Sequence, residues 1–191
     1  MTTVEPPELG LLFDRRSVAS LSEPAPSPEQ LHVLLRAAAT VPDHGNLRPW
    51  RLVVIQGGAR ERFADALAES AAGLMPDLSP EARDRVRAKA FVAPMQIAIV
   101  SSPLVGAKIE EWEQVASASC TGFAIVLAAH ALGFGAMWKS VPFTRGLGLT
   151  NVLRLADHEQ LLGWVNVGTA SGAPAPRPAA DPAAYTTHLS S

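Results

Sequence analysis

The stretch from Trp112 to Ser140 constrains this chain more than any other. Its first part is apolar nearly all round, with only small polar residues between, and predicts a central helix buried on every side. Ala116, Ser119, Cys120 and Ala124 are small enough to let other helices come close. Gly133 stands where a helix C-cap belongs. Phe134 to Trp138 then reads as a short buried strand, and Lys139 and Ser140 emerge at its end. One helix thus delivers one strand, and that strand delivers a cation and a hydroxyl to a sheet edge. The rest of the chain is expected to pack around this unit.

At 191 residues, 48% of them hydrophobic, the chain is long enough for one domain with a real core. The whole of residues 1–191 reads as that domain, with an Ala/Pro-rich extended tail from about 172 to 191. A net charge of −2 gives no footprint for nucleic acid or an anionic membrane. The single cysteine excludes an internal disulfide, and no signal peptide is visible in Met1 to Gly10, so a cytoplasmic location is expected. The central helix is about the minimum length for a membrane span, but Ser117, Ser119, Thr121 and His130 interrupt it, and no span is expected.

Along the chain, Pro7 to Phe13 predicts a short helix and Leu21 to Pro26 a Pro-containing loop. Ser27-Pro28-Glu29-Gln30 is a helix start with Ser as N-cap, Pro at the first position and Gln30 at the capping-box position. That helix ends before Pro42. A polar loop, Asp43 to Pro49, leads into a buried strand from Trp50 to Gln56. Helices are predicted from Ala59 to Ser70, from Ser79 to about Ala90 and from Thr144 to about Ala156. Met95 to Ser101 is apolar enough to be covered on both faces, and Leu161 to Val167 is a further strand. Helices alternating with strands predict an α/β or α+β sandwich with a helix-covered sheet. So much apolar surface on so short a chain also predicts an obligate homodimer.

Familiar catalytic constellations are missing. There is no phosphate-binding Gly-rich loop, and Gly133-Phe134-Gly135 follows a helix where a dinucleotide fingerprint would follow a strand. The five histidines lack ligand spacing, so no metal is expected. Cys120, among small apolar residues, reads as a packed core thiol. What remains is polar groups at the ends of elements: Arg15, Arg16 and Ser17, then His44 and Asn46, then Lys139 and Ser140. Fixed cations and hydroxyls suit a phosphate. Asn and His suit the edge of a heterocycle, and Trp50 and Trp138 offer flat apolar walls. On spacing alone this amounts to an anion or nucleotide site.

Those same residues resemble the nitroreductase family of flavoproteins. Arg15-Arg16-Ser17 after a short first helix is similar to that family's opening motif. Pro42 to Trp50 is similar to its loop before the first strand, which ends in Pro-Trp. Trp112-Glu113, the small-residue helix and Gly133 to Ser140 are similar to its compact, shorter subgroup. The likeness runs from about Leu11 to Gly168.

The resemblance implies an α+β fold, an α/β/α sandwich on a helix-covered mixed sheet, in a homodimer with two FMN sites at its interface, and hydride transfer from NADH or NADPH, through flavin, to nitroaromatic, quinone or similar electron-poor small molecules. It implies that Arg15, Arg16, Ser17, Thr40, His44, Asn46, Trp138, Lys139 and Ser140 hold FMN, with His44 and Asn46 reaching in from the partner subunit. It implies that Ala128, Ala129, His130, Ala131, Leu132 and Gly133 serve the nicotinamide cofactor. No side chain is then needed as acid or base, because a flavin brings its own chemistry. Arg15 and Lys139 suit the phosphate, and one open flavin face implies ping-pong kinetics. Close relatives often carry Arg where this chain has Thr40 and Lys139. Lys lacks the bidentate fork of Arg, which implies weaker FMN binding; near the C-terminus only Arg177 is available to compensate. The alternative reading is a protein that stores FMN with little turnover.

Overall fold

The computed structural model describes residues 6–172 and 180–189. Arg177 and part of the expected tail lie outside them. A five-stranded sheet occupies the middle layer: β1 (Leu21–Ser22), β2 (Trp50–Gln56), β3 (Met95–Ser101), β4 (Gly135–Lys139) and β5 (Gln160–Ala170). The helices are α1 (Gly10–Asp14), α2 (Pro28–Ala38), α3 (Ala59–Leu74), α4 (Pro80–Arg87), α5 (Glu111–Ala131) and α6 (Leu147–Leu153).

Side chains alternate across the sheet, as a pleated strand requires. Ala98, Val100 and Trp164 face α3, α4 and α6, and pack with Phe63, Leu67 and Leu149. Ile97, Ile99, Val165 and Val167 face α2 and α5, and pack with Leu34, Ile125 and Ala129. This is the three-layer sandwich the sequence predicts. All seven residues of β3 are buried, as its apolar run implies. β2 lies at the sheet edge, and of its residues only Ile55 is buried.

The strand pairings are antiparallel throughout, where a mixed sheet was expected. The excursion from β2 to β3 holds two helices, one out and one back, so the chain returns to the end it left and β3 runs against β2. The single helix α5 carries the chain back along the sheet, so β3 and β4 run the same way, and β5 enters between them against both. Leu21–Ser22 pairs with Ala170 and Thr169, so the expected loop includes a short strand. Its pairing is set by residues far away in sequence, which local composition cannot show.

Several local signals act as predicted. Ser27 caps α2: its Oγ accepts from Gln30 N–H and Gln30 Oε1 accepts from Ser27 N–H. Gly133, at φ +81°, closes α5 with Phe134 N–H donating to Ala129 O and Gly133 N–H to His130 O. The helix predicted from Ala59 to Ser70 runs a turn longer, to Leu74, and the one predicted from Thr144 is shorter, at Leu147–Leu153.

The expectation that α5 is buried all round is overturned. Gln114, Ala118, Thr121, Gly122, Ile125, Val126 and Ala129 are buried, on one face. Trp112 is 70% exposed and Phe123 48%. Cys120 is exposed too, on the outer face and not in the core. Small apolar residues fit a core or an uncovered seam equally well, which is why composition misreads them. Among the described residues α5 is also the one helix long and apolar enough to cross a membrane by length and composition. Its buried face is spent on β3, β4 and α2.

One ion pair fastens the sheet to α6. Arg51 Nε and Nη2 donate to Glu159 Oε1 and Oε2 at 2.7 and 2.6 Å, and Nη2 also donates to the Leu153 and Arg154 carbonyls. The Arg51 guanidinium holds the Glu159 carboxyl down at about 2.

Candidate functional site

The expected site residues fall into three clusters. The first forms where α1 gives way to extended chain at Arg15. Arg16 is half-buried, and its Nη1 donates to the Phe13 and Arg15 carbonyls at 2.7 and 3.0 Å. Val18 N–H donates to Ala136 O at 3.0 Å and lays this segment against β4. Arg16, His130, Gly133 and Phe134 share the walls of a cavity of about 250 Å³. The end of the predicted nicotinamide segment therefore meets the first basic motif. Of that segment, Ala129 is buried, Ala128, His130 and Leu132 are half-buried, and Ala131 and Gly133 are exposed. Ser17 is exposed beside the cluster.

The second cluster lies at the far end of β4, about 13 Å along the strand from Gly135 to Lys139. Lys139 and Ser140 are exposed and, with Lys89, Val92, Trp164 and Asn166, line a cavity of about 130 Å³. Lys139 is held here by a bulge: Ile99 pairs with Gly163 and Val100 with Leu161, leaving Leu162 extra. Gly163 has φ +129°, and a Cβ on it would sit 2.3 Å from the Lys139 carbonyl oxygen, so no side chain fits. Trp138 points to the opposite sheet face and lies on α5. A Cβ on Gly122 would come within 2.7 Å of its ring, so glycine lets the indole lie flat.

The third cluster is the loop before β2. Thr40 is exposed and its Oγ1 donates to Ala37 O at 2.8 Å. His44 Nδ1 lies 2.9 Å from Glu113 Oε2, which ties the loop to the start of α5. Asn46 and Arg48 hold positive φ of 53° and 50°, and Arg48 N–H donates to Asp43 Oδ2 at 2.7 Å. Two left-handed non-glycine residues one position apart, with Leu47 at φ −72° between them, mark a backbone held in an unfavourable shape, as is common at binding sites. Asn46 is exposed at its tip.

Within one chain the first and third clusters do not converge. His130 and Glu113 stand at opposite ends of α5, about 25 Å apart at the helical rise.

Sequence reasoning missed Gln96, Trp164, Asn166 and the Gly163 bulge. Gln96 Nε2 donates to Asn166 Oδ1 at 3.1 Å and to Lys89 O at 3.0 Å, beneath the second cluster. The signal was present: Gln96 and Asn166 are lone amides in otherwise apolar strands, and a buried amide needs partners. Among the described residues no group of His, Cys, Asp or Glu could hold a metal.

Comparison with known proteins places the chain. The model of the nitroreductase family matches residues 12–169, and the chain belongs to that family. It is 37% identical over 161 residues to the "Putative NAD(P)H nitroreductase YdjA" of Escherichia coli K12, covering 84% of this chain and 87% of that one. It is 34% identical over 163 residues to a Haemophilus influenzae protein of similar name, with 84% and 87% covered. Among solved structures, a nitroreductase-like family protein from Bacillus cereus superposes with a TM-score of 0.81 at 21% identity, covering 99% of both chains. The FMN and NADPH-dependent nitroreductase NfnB, as a mutant, superposes at 0.75 and 20% identity, covering 93% of this chain and 96% of its own.

Proposed function

We propose that this protein is an FMN-dependent oxidoreductase that passes a hydride from NADH or NADPH to electron-poor small molecules such as nitroaromatics or quinones. Family membership and the names of the relatives support the reading. The donor set fits FMN: adjacent guanidiniums and a hydroxyl at Arg15–Ser17, and a cation and a hydroxyl at Lys139–Ser140.

The observation that carries the proposal is the division of these groups between the two ends of α5. The outer face of that helix bears Trp112, Ala116, Cys120, Phe123, Leu127 and Ala131, in steps of four, four, three, four and four residues. These positions fall within one arc of the helix. Two copies packed through this stripe around a two-fold axis perpendicular to the helix run antiparallel, and the start of one α5 then faces the end of the other. The partner's copy of the Asn46 loop would then stand near Arg15–Ser17. The dimer completes a site that one chain leaves open.

In that site Arg15, Arg16 and Ser17 hold the FMN phosphate and ribityl chain, because charge-assisted donors are the strong ones. Lys139 was expected at the phosphate beside Arg15, but it stands at the far end of β4 from Arg16, so we assign Lys139 and Ser140 instead to the polar edge of the ring, where a cation favours the reduced ring's charge. Thr40, His44 and Asn46 supply donors and acceptors across the interface, and Trp138 packs behind. Bound FMN supplies the hydride chemistry, so the protein's task is binding, orientation and charge. The Ala128–Gly133 segment, beside Arg16, receives the nicotinamide cofactor. One open face serves reductant and oxidant in turn, which gives ping-pong kinetics.

Anaerobic mixing of the purified, flavin-loaded protein with NADH or NADPH tests this. Rapid bleaching of the flavin band, restored by a nitroaromatic or quinone, is the expected result. A lasting yellow colour indicates storage without turnover, and colourless protein that takes up no FMN rejects the proposal.

A further inference from the structure

Among the described residues one side-chain hydrogen bond joins the loop before β2 to α5, from His44 Nδ1 to Glu113 Oε2 at 2.9 Å. A carboxylate oxygen accepts and does not donate, so Nδ1 carries the hydrogen. The other ring nitrogen, Nε2, has no partner among the described residues, and in the neutral ring it is an acceptor. Backbone bonds hold the rest of the loop: Asn46 N–H donates to Asp43 O, and Ser102 N–H to Pro49 O. Neither orients the His44 ring, and Glu113 does. Compensation of the helix dipole does not require this contact. Glu111, in the same first turn, supplies a charge there while exposed and in no ion pair among the described residues. In one chain the side chains of His44 and Glu113 are 64% and 31% exposed, and an exposed pair contributes little. Trp112, beside Glu113, opens the exposed stripe of α5. A seam closed on that stripe covers the pair and leaves Nε2 in need of a donor in place of water.

We propose that Glu113 is a positioning residue of the flavin site. By accepting from Nδ1 it fixes the orientation and the tautomer of the His44 imidazole, and so presents Nε2 as an acceptor to an O–H or N–H of the FMN held across the seam. The inference rests on the flavin and the two-fold seam proposed above, and adds a residue that acts on the flavin through another. An imidazole left to choose spends part of its time with the hydrogen on Nε2, a donor facing a donor. Glu113 removes that choice before the flavin arrives, as a carboxylate does for a metal-bound histidine.

The test reads the ring and the affinity separately. Long-range ¹H–¹⁵N spectra at about pH 9, where imidazoles are neutral, report which ring nitrogen carries the hydrogen. The His44 signals are identified by their loss in His44→Phe. The FMN-free parent should show the hydrogen on Nδ1, and added FMN should shift the Nε2 signal and leave the hydrogen where it is. Glu113→Ala should show mixed tautomers. By quenching of flavin fluorescence, Glu113→Ala should bind FMN about fivefold more weakly, one hydrogen bond's worth. Glu111→Ala, which removes a charge from the same turn, should bind like the parent. Glu113→Ala added to His44→Phe should cost nothing further, because Glu113 acts through the ring. A parent with its hydrogen on Nε2, an Nε2 signal unmoved by bound FMN, undiminished affinity in Glu113→Ala, an equal loss in Glu111→Ala, or a further loss beyond His44→Phe each overturns the role of Glu113 and leaves the flavin reading standing. A parent that takes up no FMN rejects the flavin reading, and this inference with it.

Discussion

Single residues decide how firmly the edges of this sheet are held. Glu159 is the clearest case, because the Arg51 guanidinium, the Ala156 N–H and the Ser102 hydroxyl together hold its carboxyl at about 2 against an ordinary 4.5. The unfolded chain therefore takes up that proton more readily than the folded one. The stabilisation is complete above about pH 4.5 and is lost as pH falls from there toward 2. With the Arg51 side chain 34% exposed, solvent screens part of it. Glu159→Gln should cost on the order of 2 kcal/mol near neutral pH. Urea denaturation across a pH series should show the gap between the two proteins closing below pH 4.5. The pair joins residues 108 apart, and nothing near either one announces it. The Gly163 bulge and the Gln96–Asn166 bond are equally non-local. By contrast, the Ser27 capping box and the Gly133 cap each close within a few residues, so the sequence carries them whole.

Among elements, α5 carries both the success and the failure of the sequence reading. Its position, its length and the strand it delivers were legible from Trp112 to Ser140. Its surroundings were not, because alanine, serine and cysteine are tolerated both in a core and where two helices meet face to face. The exposed stripe through Phe123 is the physical content of that ambiguity. Phe123→Glu places a charge mid-stripe and leaves the buried face untouched. Analytical ultracentrifugation should find this variant monomeric and the parent dimeric, with FMN retained by the parent alone. A dimeric Phe123→Glu would move the subunit contact elsewhere. α1 fits the same picture, since Leu11, Leu12 and Phe13 are exposed and none of its residues is buried.

At the scale of the whole molecule, the sandwich and the family were readable in advance because they rest on the order of elements and on short motifs. The site was readable only as separate groups. Sequence order brings Arg15 to Ser17 and His44 to Asn46 close together in the chain, yet the fold sends the two segments toward opposite ends of α5. The roughly 25 Å of helix between Glu113, which meets the His44 loop, and His130, which meets Arg16, has a genetic corollary. Each reaction centre would borrow from two polypeptides, so two crippled alleles need not be crippled together. An Arg16→Ala subunit paired with an Asn46→Ala subunit keeps one centre with both residues intact and concentrates both lesions in the other. Random reassortment of the two inactive proteins should restore about a quarter of parental turnover. Neither protein alone would show it.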